Sequence, residues 1–437
     1  MNNNLTIRMN VSILLFTFAL ISLVSSAETV KVEGVYYKII DKRCVEVVSS
    51  PTKYVGDVTI PETIQLNGIT YKVVGIGEDA FYECPNMKSI SLPNSITYVS
   101  KQAFRLCEGL DSISLPDNII AIGESAFLDC NNICDLKLPN KLNAIRREAF
   151  GGCEKIESLT LPESLSEIGI GAFYDCKTIK QLFIPKNIQH IGSCAFRGCS
   201  NLREIFVDSL NTRYDSRNGC NAIIESNTNT LIIGCLNTII PTDIVSIGES
   251  AFDGCSGLMS INIPNSVKFI EKGAFTWSGL KSIDLPNSVE EIGEFAFQSC
   301  NSMISITIPE SVIKIDEVAF SGCDSLLSVS VYGNDVYIAK WAFASCPELA
   351  DVYIHSPFKV SIGEEVFDDC SRHAVLHVQP SLVESYRNDN KWKYTFEKIV
   401  AIGSDDKSNI KIVFLWTVIG LLLLSFLFII LKKKEMI

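Results

Sequence analysis

Cysteine is the residue type in this chain that could do the most chemistry. The 437 residues include sixteen cysteines, and thiols form disulfides, bind metals or act as nucleophiles according to their surroundings. Eleven of them occupy one place in a repeating pattern, and Ser278 takes that place in a further copy: Cys84, Cys107, Cys130, Cys153, Cys176, Cys199, Cys255, Cys300, Cys323, Cys346 and Cys370. A small apolar side chain stacked in this way is typical of core packing. We therefore predict buried thiols here in preference to disulfides or zinc.

The five remaining cysteines lie outside this pattern, at Cys44, Cys134, Cys194, Cys220 and Cys235. Cys220 and Cys235 bracket two apolar runs separated by Asn227-Thr228-Asn229, which is a hairpin signal. We predict a disulfide between Cys220 and Cys235. Because five is an odd number, at least one of these thiols should be free or intermolecular.

Signals for catalysis are absent from the sequence. The four histidines begin no metal-ligand spacing, and there is no G-x-S-x-G, phosphate-binding glycine loop or dinucleotide fingerprint. The formal net charge of −12 repels phosphate backbones. We therefore predict no enzyme activity, no cofactor, no metal, no small-molecule substrate and no nucleic-acid partner.

The elements that position the cysteines are repeats of about 23 residues. Ala-Phe recurs at Ala80, Ala103, Ala126, Ala149, Ala172 and Ala195, and again from Ala251 onward. Such a period indicates a solenoid. In each unit, L-x-x-I-x-L-P predicts a short strand ended by proline, and A-F-x-x-C suits one helical or 3₁₀ turn. The predicted fold is a leucine-rich-repeat solenoid whose strands stack into one long parallel sheet.

The unit resembles the Treponema-type leucine-rich repeat of BspA-like surface proteins. The resemblance covers roughly residues 30–403 and includes Tyr386, Trp392, Phe396 and Ile399 as its C-terminal cap. It implies a surface-exposed protein that binds host or matrix macromolecules, including proteins such as fibronectin. No motif in the chain specifies the ligand.

One insertion interrupts the repeats, because Ala195 and Ala251 are 56 residues apart. Just before it, Phe183 and Phe206 occupy the outward-facing place of two adjacent strands, and Tyr353 occupies the same place further on. Aromatic side chains dominate interface energetics, so these three are our candidate contact residues. The alternative is that the insertion folds back over the two phenylalanines.

The ends of the chain predict export and anchoring. An apolar run at Val11–Ser26 is followed by small residues, which is typical of a signal peptide cleaved after Ala27. Residues 412–431 are uncharged and long enough to span a bilayer, and Lys432–Lys434 then favour a cytoplasmic C-terminus. The predicted product is a single-pass cell-surface protein with its repeats outside. An alternative function is a structural or antigenic coat without a specific ligand.

These expectations divide the chain into nine parts. They are a signal peptide (1–27), an N-terminal cap with a first imperfect repeat (28–75), a first repeat block (76–207), an insertion with a hairpin (208–241), a second repeat block (242–378), a C-terminal cap (379–403), a linker (404–411), a transmembrane helix (412–431) and a cytoplasmic tail (432–437).

Overall fold

The computed structural model describes residues 29–403. The predicted signal peptide, linker, membrane span and tail lie outside this range. Within residues 29–403, no helix is long and apolar enough to cross a membrane. The described chain is a β-solenoid in which each repeat forms one coil, and the coils stack through parallel strand pairing.

Two extended sheets run along the Ile-Gly part of the repeat. The first has ten strands: β1 (Thr29–Val32), β2 (Val35–Asp41), β3 (Cys44–Val48), β5 (Thr63–Leu66), β6 (Ile69–Ile76), β8 (Tyr98–Val99), β10 (Ala121–Ile122), β12 (Ala144–Ile145), β13 (Glu167–Ile168) and β15 (His190–Ile191). The second has nine: β17 (Tyr214–Asp215), β18 (Ile223–Glu225), β19 (Thr230–Ile233), β20 (Ser246–Ile247), β21 (Phe269–Ile270), β22 (Glu291–Ile292), β24 (Lys314–Ile315), β26 (Tyr337–Ile338) and β28 (Ser361–Ile362).

The L-x-x-I-x-L-P strands form on a different face of the solenoid. Three two-stranded sheets pair β4 (Gly56–Thr59) with β7 (Met87–Ser91), β9 (Ser112–Ser114) with β11 (Asp135–Lys137), and β14 (Gln181–Ile184) with β16 (Glu204–Val207). A five-stranded sheet joins β23 (Ser305–Ile308), β25 (Ser328–Val331), β27 (Asp351–Ile354), β29 (Val375–Val378) and β30 (Lys398–Ala401).

The prediction of one long sheet from these strands was wrong. The segment offers only a few residues before a proline that has no N–H to donate, so its ladder is short and interrupted. At Ile-Gly, the glycine N–H extends the ladder, and that of Gly123 donates to the Val99 carbonyl over 2.9 Å. The Ile-Gly face therefore carries the sheets with the larger number of paired strands.

The A-F-x-x-C segment forms hydrogen-bonded turns in place of the regular helical or 3₁₀ turn that we expected. Three successive turns form, in which Ala126 N–H donates to the Gly123 carbonyl, Leu128 N–H to the Ser125 carbonyl and Cys130 N–H to the Phe127 carbonyl. Ser125 and Asp129 have left-handed backbones, with φ of 51° and 60°, and each stops helical continuation. Phe127 N–H instead donates to the Ala149 carbonyl of the next coil over 2.7 Å, which makes a further ladder between coils.

The core consists of stacked rings and thiols. Phe104, Phe127 and Phe150 stack nearly parallel with ring centroids 4.9 and 5.1 Å apart. Ten of the eleven repeat cysteines are buried, as predicted, and Cys370 is half-buried. Most of these thiols also donate to a phenylalanine carbonyl in the preceding coil, and Cys130 Sγ lies 3.0 Å from the Phe104 oxygen. The repeat thiol is therefore a hydrogen-bond donor as well as a small packing group.

The C-terminal end of the described solenoid is closed by two short helices. These are α1 (Val383–Arg387) and α2 (Asn390–Lys393), preceded by a 3₁₀ turn at Pro380–Leu382; a further 3₁₀ turn lies at Arg217–Gly219. Tyr386, Trp392 and Phe396 are buried. The Phe367 ring is 5.1 Å from the Phe396 ring and 6.2 Å from the Trp392 ring. The cap thus covers the end of the phenylalanine stack.

Candidate functional site

The regular stacking breaks once in the described chain, at the insertion. The predicted hairpin forms there, since β18 pairs with β19 in antiparallel fashion. β17 joins the other side of β18, and β19 pairs in parallel with β20 of the next coil. The insertion thus adds an antiparallel element at the end of the second sheet.

The core separates into two clusters at this junction. The first phenylalanine stack ends at Phe196 and the second begins at Phe252. The N–H of Gly234 donates to the Ala251 carbonyl over 2.8 Å. In the regular coils, the alanine carbonyl at this place accepts instead from the N–H of a repeat phenylalanine. A Cβ at Gly234 would lie 2.1 Å from the Phe252 ring, so this close approach requires glycine.

The two candidate phenylalanines lie side by side in front of this junction. Phe183 of β14 and Phe206 of β16 are in register on neighbouring parallel strands. They are 46% and 48% exposed, so the insertion does not bury them. Their strand neighbours Leu182 and Ile205 point inward and are buried. The period-2 alternation of the strands therefore presents two large aromatic rings to solvent.

Polar groups border this aromatic pair. Gln181 Nε2 donates to Glu204 Oε2 over 2.7 Å on the same strands. Past the other end of β16, the Ser216 hydroxyl accepts from Val207 N–H over 3.0 Å. An apolar centre with a hydrogen-bonded polar rim is the usual anatomy of a protein-binding surface.

Sequence reasoning missed a third apolar side chain, Ile239. It precedes Ile240-Pro241 as Phe183 precedes Ile184-Pro185, and it is 73% exposed. The only signal in the sequence was this Ile-Pro pair, which lies inside the range that we had assigned to the insertion. Ile239 is therefore a further exposed apolar residue near the end of the insertion.

Tyr353 lies on β27, in a different sheet from Phe183 and Phe206. Its ring is half-buried and stacks on His377 at 4.3 Å between centroids. His377 Nε2 lies 2.7 Å from Asp351 Oδ1, and the neighbouring His355 stacks on Tyr332 at 4.1 Å. Burial lowers the pKa of His355. The structure thus assigns Tyr353 to a separate tyrosine–histidine cluster.

Cys220 and Cys235 are both buried in the insertion. Cys235 Sγ donates to the Asn221 carbonyl over 3.2 Å, and Cys220 Sγ approaches the Ala222 carbonyl at 3.8 Å. Burial raises the pKa of both thiols. Their pairing stays a prediction. Across residues 29–403, no cluster of three or more histidine, cysteine or acidic side chains could hold a metal ion.

Comparisons with known proteins agree with this architecture. A search of curated sequences finds no match. The crystal structure of a leucine rich cell surface protein from Faecalibacterium prausnitzii is 25% identical, with a TM-score of 0.62, over 76% of this chain and 95% of that one. The pneumococcal vaccine antigen PcpA shares the fold at 18% identity and a TM-score of 0.62, over 86% and 98% of the two chains.

A leucine-rich repeat protein from Eubacterium ventriosum also shares the fold, at 19% identity and a TM-score of 0.53, over 77% of this chain and 93% of that one. The family model for the BspA type leucine rich repeat region matches in six copies, over residues 74–203, 129–244 and 222–349. With most of the described coils covered by that model, the chain belongs to the BspA-type leucine-rich-repeat family.

Proposed function

We propose that this protein is a cell-surface binding protein that attaches to an extracellular protein, of a host or of its matrix, through the face that carries Phe183 and Phe206. The observation that carries the proposal is the pair of adjacent, in-register and half-exposed phenylalanine rings. Exposed apolar patches with polar rims are typical of interaction sites. The family's surface proteins, including the pneumococcal antigen and the Faecalibacterium protein, support the same reading.

The energetics favour binding over passive display. Each ring leaves about half of its surface in water, and burying aromatic anchors contributes roughly 2 kcal/mol or more per residue at well-packed interfaces. Two rigid rings on one sheet face lose little side-chain entropy when a partner covers them. Many copies on one cell would add avidity. Nothing in the face resembles an acid–base–nucleophile set, so we propose binding rather than catalysis.

The proposal includes export and anchoring. The apolar run at Val11–Ser26, the uncharged residues 412–431 and the three lysines at Lys432–Lys434 support a cleaved signal and a single membrane crossing. The repeats would then face outward. Mass spectrometry of the mature N-terminus and protease protection of the C-terminal tail test these two steps directly.

Binding of the full chain to host cells and to immobilised fibronectin and fibrinogen tests the function. The variant Phe183→Ala/Phe206→Ala should lose at least tenfold in affinity. A matched control, Ile313→Ala/Phe358→Ala, removes two other exposed apolar side chains and should bind as the unmodified chain does.

The outcomes separate the alternatives. Saturable binding that the phenylalanine double variant retains would keep a binding function and discard this face. Absence of saturable binding to every surface would favour a structural or antigenic coat. Loss in both double variants would indicate a non-specific apolar effect and would also discard the site.

A further inference from the structure

A cleft of about 320 Å³ opens where the two repeat blocks meet. On one side the coils stay joined, because Gly198 N–H donates to the Asp253 carbonyl over 3.0 Å. On the Ile-Gly face, the first sheet ends at β15 and the second continues through β19. The insertion therefore separates the two neighbouring coils on the Ile-Gly face, whereas the Gly198–Asp253 hydrogen bond joins them on the other side. Neither Phe183 nor Phe206 lines the cleft.

The charged side chains of the cleft are predominantly acidic. They are Arg197, Arg213, Glu225, Glu249, Asp253 and Glu271. Both arginines are already paired, Arg213 with Glu225 at 3.0 Å and Arg197 with Asp253 at 2.9 Å. Among the described residues, Glu249 and Glu271 form no ion pair, and Lys272, the base that interacts with Glu249 electrostatically, is itself paired with Glu294 at 2.7 Å. The cleft thus holds two more carboxylates than guanidinium groups, and its field favours a cation.

Asp253 is the buried acid of this group. Only 7% of its side-chain surface is exposed. Its Oδ2 accepts from Arg197 Nε and from the Ser250 hydroxyl, at 2.9 and 3.4 Å. Its Oδ1 is enclosed and has no hydrogen-bond partner within residues 29–403. A buried carboxylate oxygen without a donor carries an uncompensated desolvation penalty.

We propose that the cleft binds a primary ammonium or guanidinium group, with Asp253 as its main acceptor and Glu249 and Glu271 as the surrounding negative charge. Such a group supplies several N–H donors and a positive charge at once. The volume lies at the lower end of the usual range for ligand pockets, so it suits a short amine or a single basic side chain rather than a large ligand.

Access to Asp253 follows from the exposure of its partner. The Arg197 side chain is about half exposed, so it can swing into solvent and leave Asp253 to the incoming cation. Rotamer changes of this size are common on binding. Arg197 and the ligand therefore compete for one carboxylate, and removing Arg197 should strengthen binding.

The same chemistry has two sources, a free alkylamine or a lysine or arginine side chain of another protein. Saturation-transfer difference NMR on the full chain would compare n-butylammonium, n-butanol as the neutral analogue, and the blocked peptide acetyl-Gly-Lys-Gly-amide. We expect saturable binding of both cations and none of n-butanol. A peptide that binds at least tenfold more tightly than n-butylammonium would identify a protein side chain as the source, and the reverse would identify a free amine.

Three variants make the test specific. Asp253→Asn should weaken cation binding at least tenfold, and Arg197→Gln should strengthen it several-fold. Asp324→Asn, which neutralises an exposed acid away from the cleft, should change nothing. Equal binding of n-butanol and n-butylammonium, or cation binding unchanged in Asp253→Asn, would overturn the proposal. These results are independent of adhesion through Phe183 and Phe206, because those residues lie outside the cleft.

Discussion

Neighbouring coils are held together by different contacts in the regular repeats and at the junction formed by the insertion. Between regular coils, Phe127 stacks on both neighbouring rings and Cys130 donates to the Phe104 carbonyl. At the junction, the ring stack stops at Phe196, and the charged pair Arg197–Asp253 helps to join the coils. Repetition fills the interior with identical contacts, and the cleft with its buried carboxylate lies where that repetition is interrupted.

That difference locates possible chemistry in the molecule. A close-packed stack has no room for a ligand and keeps its thiols buried, and burial raises the pKa of Cys84 to about 11. The junction instead has a cleft and a buried carboxylate. The following substitutions compare the two regions, in order of decreasing effect on the free energy of unfolding.

The largest effect should come from the middle of a ring stack. Phe127→Ala removes a ring with neighbours on both sides and should cost about 4 kcal/mol of the free energy of unfolding, within the usual range for a buried phenylalanine. Phe196→Ala removes a ring stacked on Phe173 alone and should cost about 1 kcal/mol less. Urea unfolding followed by circular dichroism measures both. An equal or larger cost at Phe196 would show that the junction is packed as well as the regular coils.

Asp253→Asn should do the opposite and stabilise the protein at pH 8. Burial raises the pKa of Asp253 to about 6 in spite of Arg197. Since the folded-state pKa lies above the unfolded value, the favourable contribution of the protonated acid is complete below about pH 4 and is lost as the pH rises through about 6. A shift of this size corresponds to about 2–3 kcal/mol.

Thermal unfolding of Asp253→Asn at pH 8 and pH 4 measures this effect. The gain in stability should be present at pH 8 and small at pH 4. Asp324→Asn, at an exposed position, should show no such pH dependence. A stability loss at pH 8 would mean that the ion pair with Arg197 outweighs the desolvation of the carboxylate.

Much of this contrast could not be obtained from the sequence. The period, the buried phenylalanines and the buried cysteines follow from residue types at a fixed spacing. The two-residue strands at Ile-Gly do not, because no pattern of alternation fits into two residues. The left-handed backbone conformations could not be predicted from residue type either, because residues as different as Ser125, Val318 and Trp341 adopt them.

The candidate site shows the same division. The outward direction of Phe183 and Phe206 follows from strand alternation, whereas their exposure depends on where the insertion packs. The cleft depends on a contact between Gly198 and Asp253, which are 55 residues apart in the sequence. It also depends on the strands of the insertion, which lie between β15 and β20. Residue types alone do not encode that geometry, and no sequence pattern distinguishes Asp253 from the other acidic residues of the repeats.

A smaller effect should come from the thiol–carbonyl bond. Cys130→Ala removes the donor to the buried Phe104 carbonyl and leaves a small void, and we expect a cost of about 1–2 kcal/mol. Cys130→Ser keeps a donor and should cost less, as the natural Ser278 suggests. Cys255, at the junction, makes no such bond among the described residues, so Cys255→Ala should cost less than Cys130→Ala. Urea unfolding of the three variants provides the comparison, and equal costs for both alanine variants would show that packing alone sets the role of the thiol.

The smallest effect on stability should come from the face that we propose for binding. Phe206→Ala should change the free energy of unfolding by no more than about 0.5 kcal/mol, because the ring is half in water and surface substitutions away from special contacts are nearly neutral. Its inward-facing neighbour provides the matched comparison, since Ile205→Ala empties a buried position and should cost at least about 2 kcal/mol. Thermal unfolding of both variants separates the two roles. A large loss of stability in Phe206→Ala would mean that the ring supports the fold of the junction, and its exposure would then no longer argue for a partner.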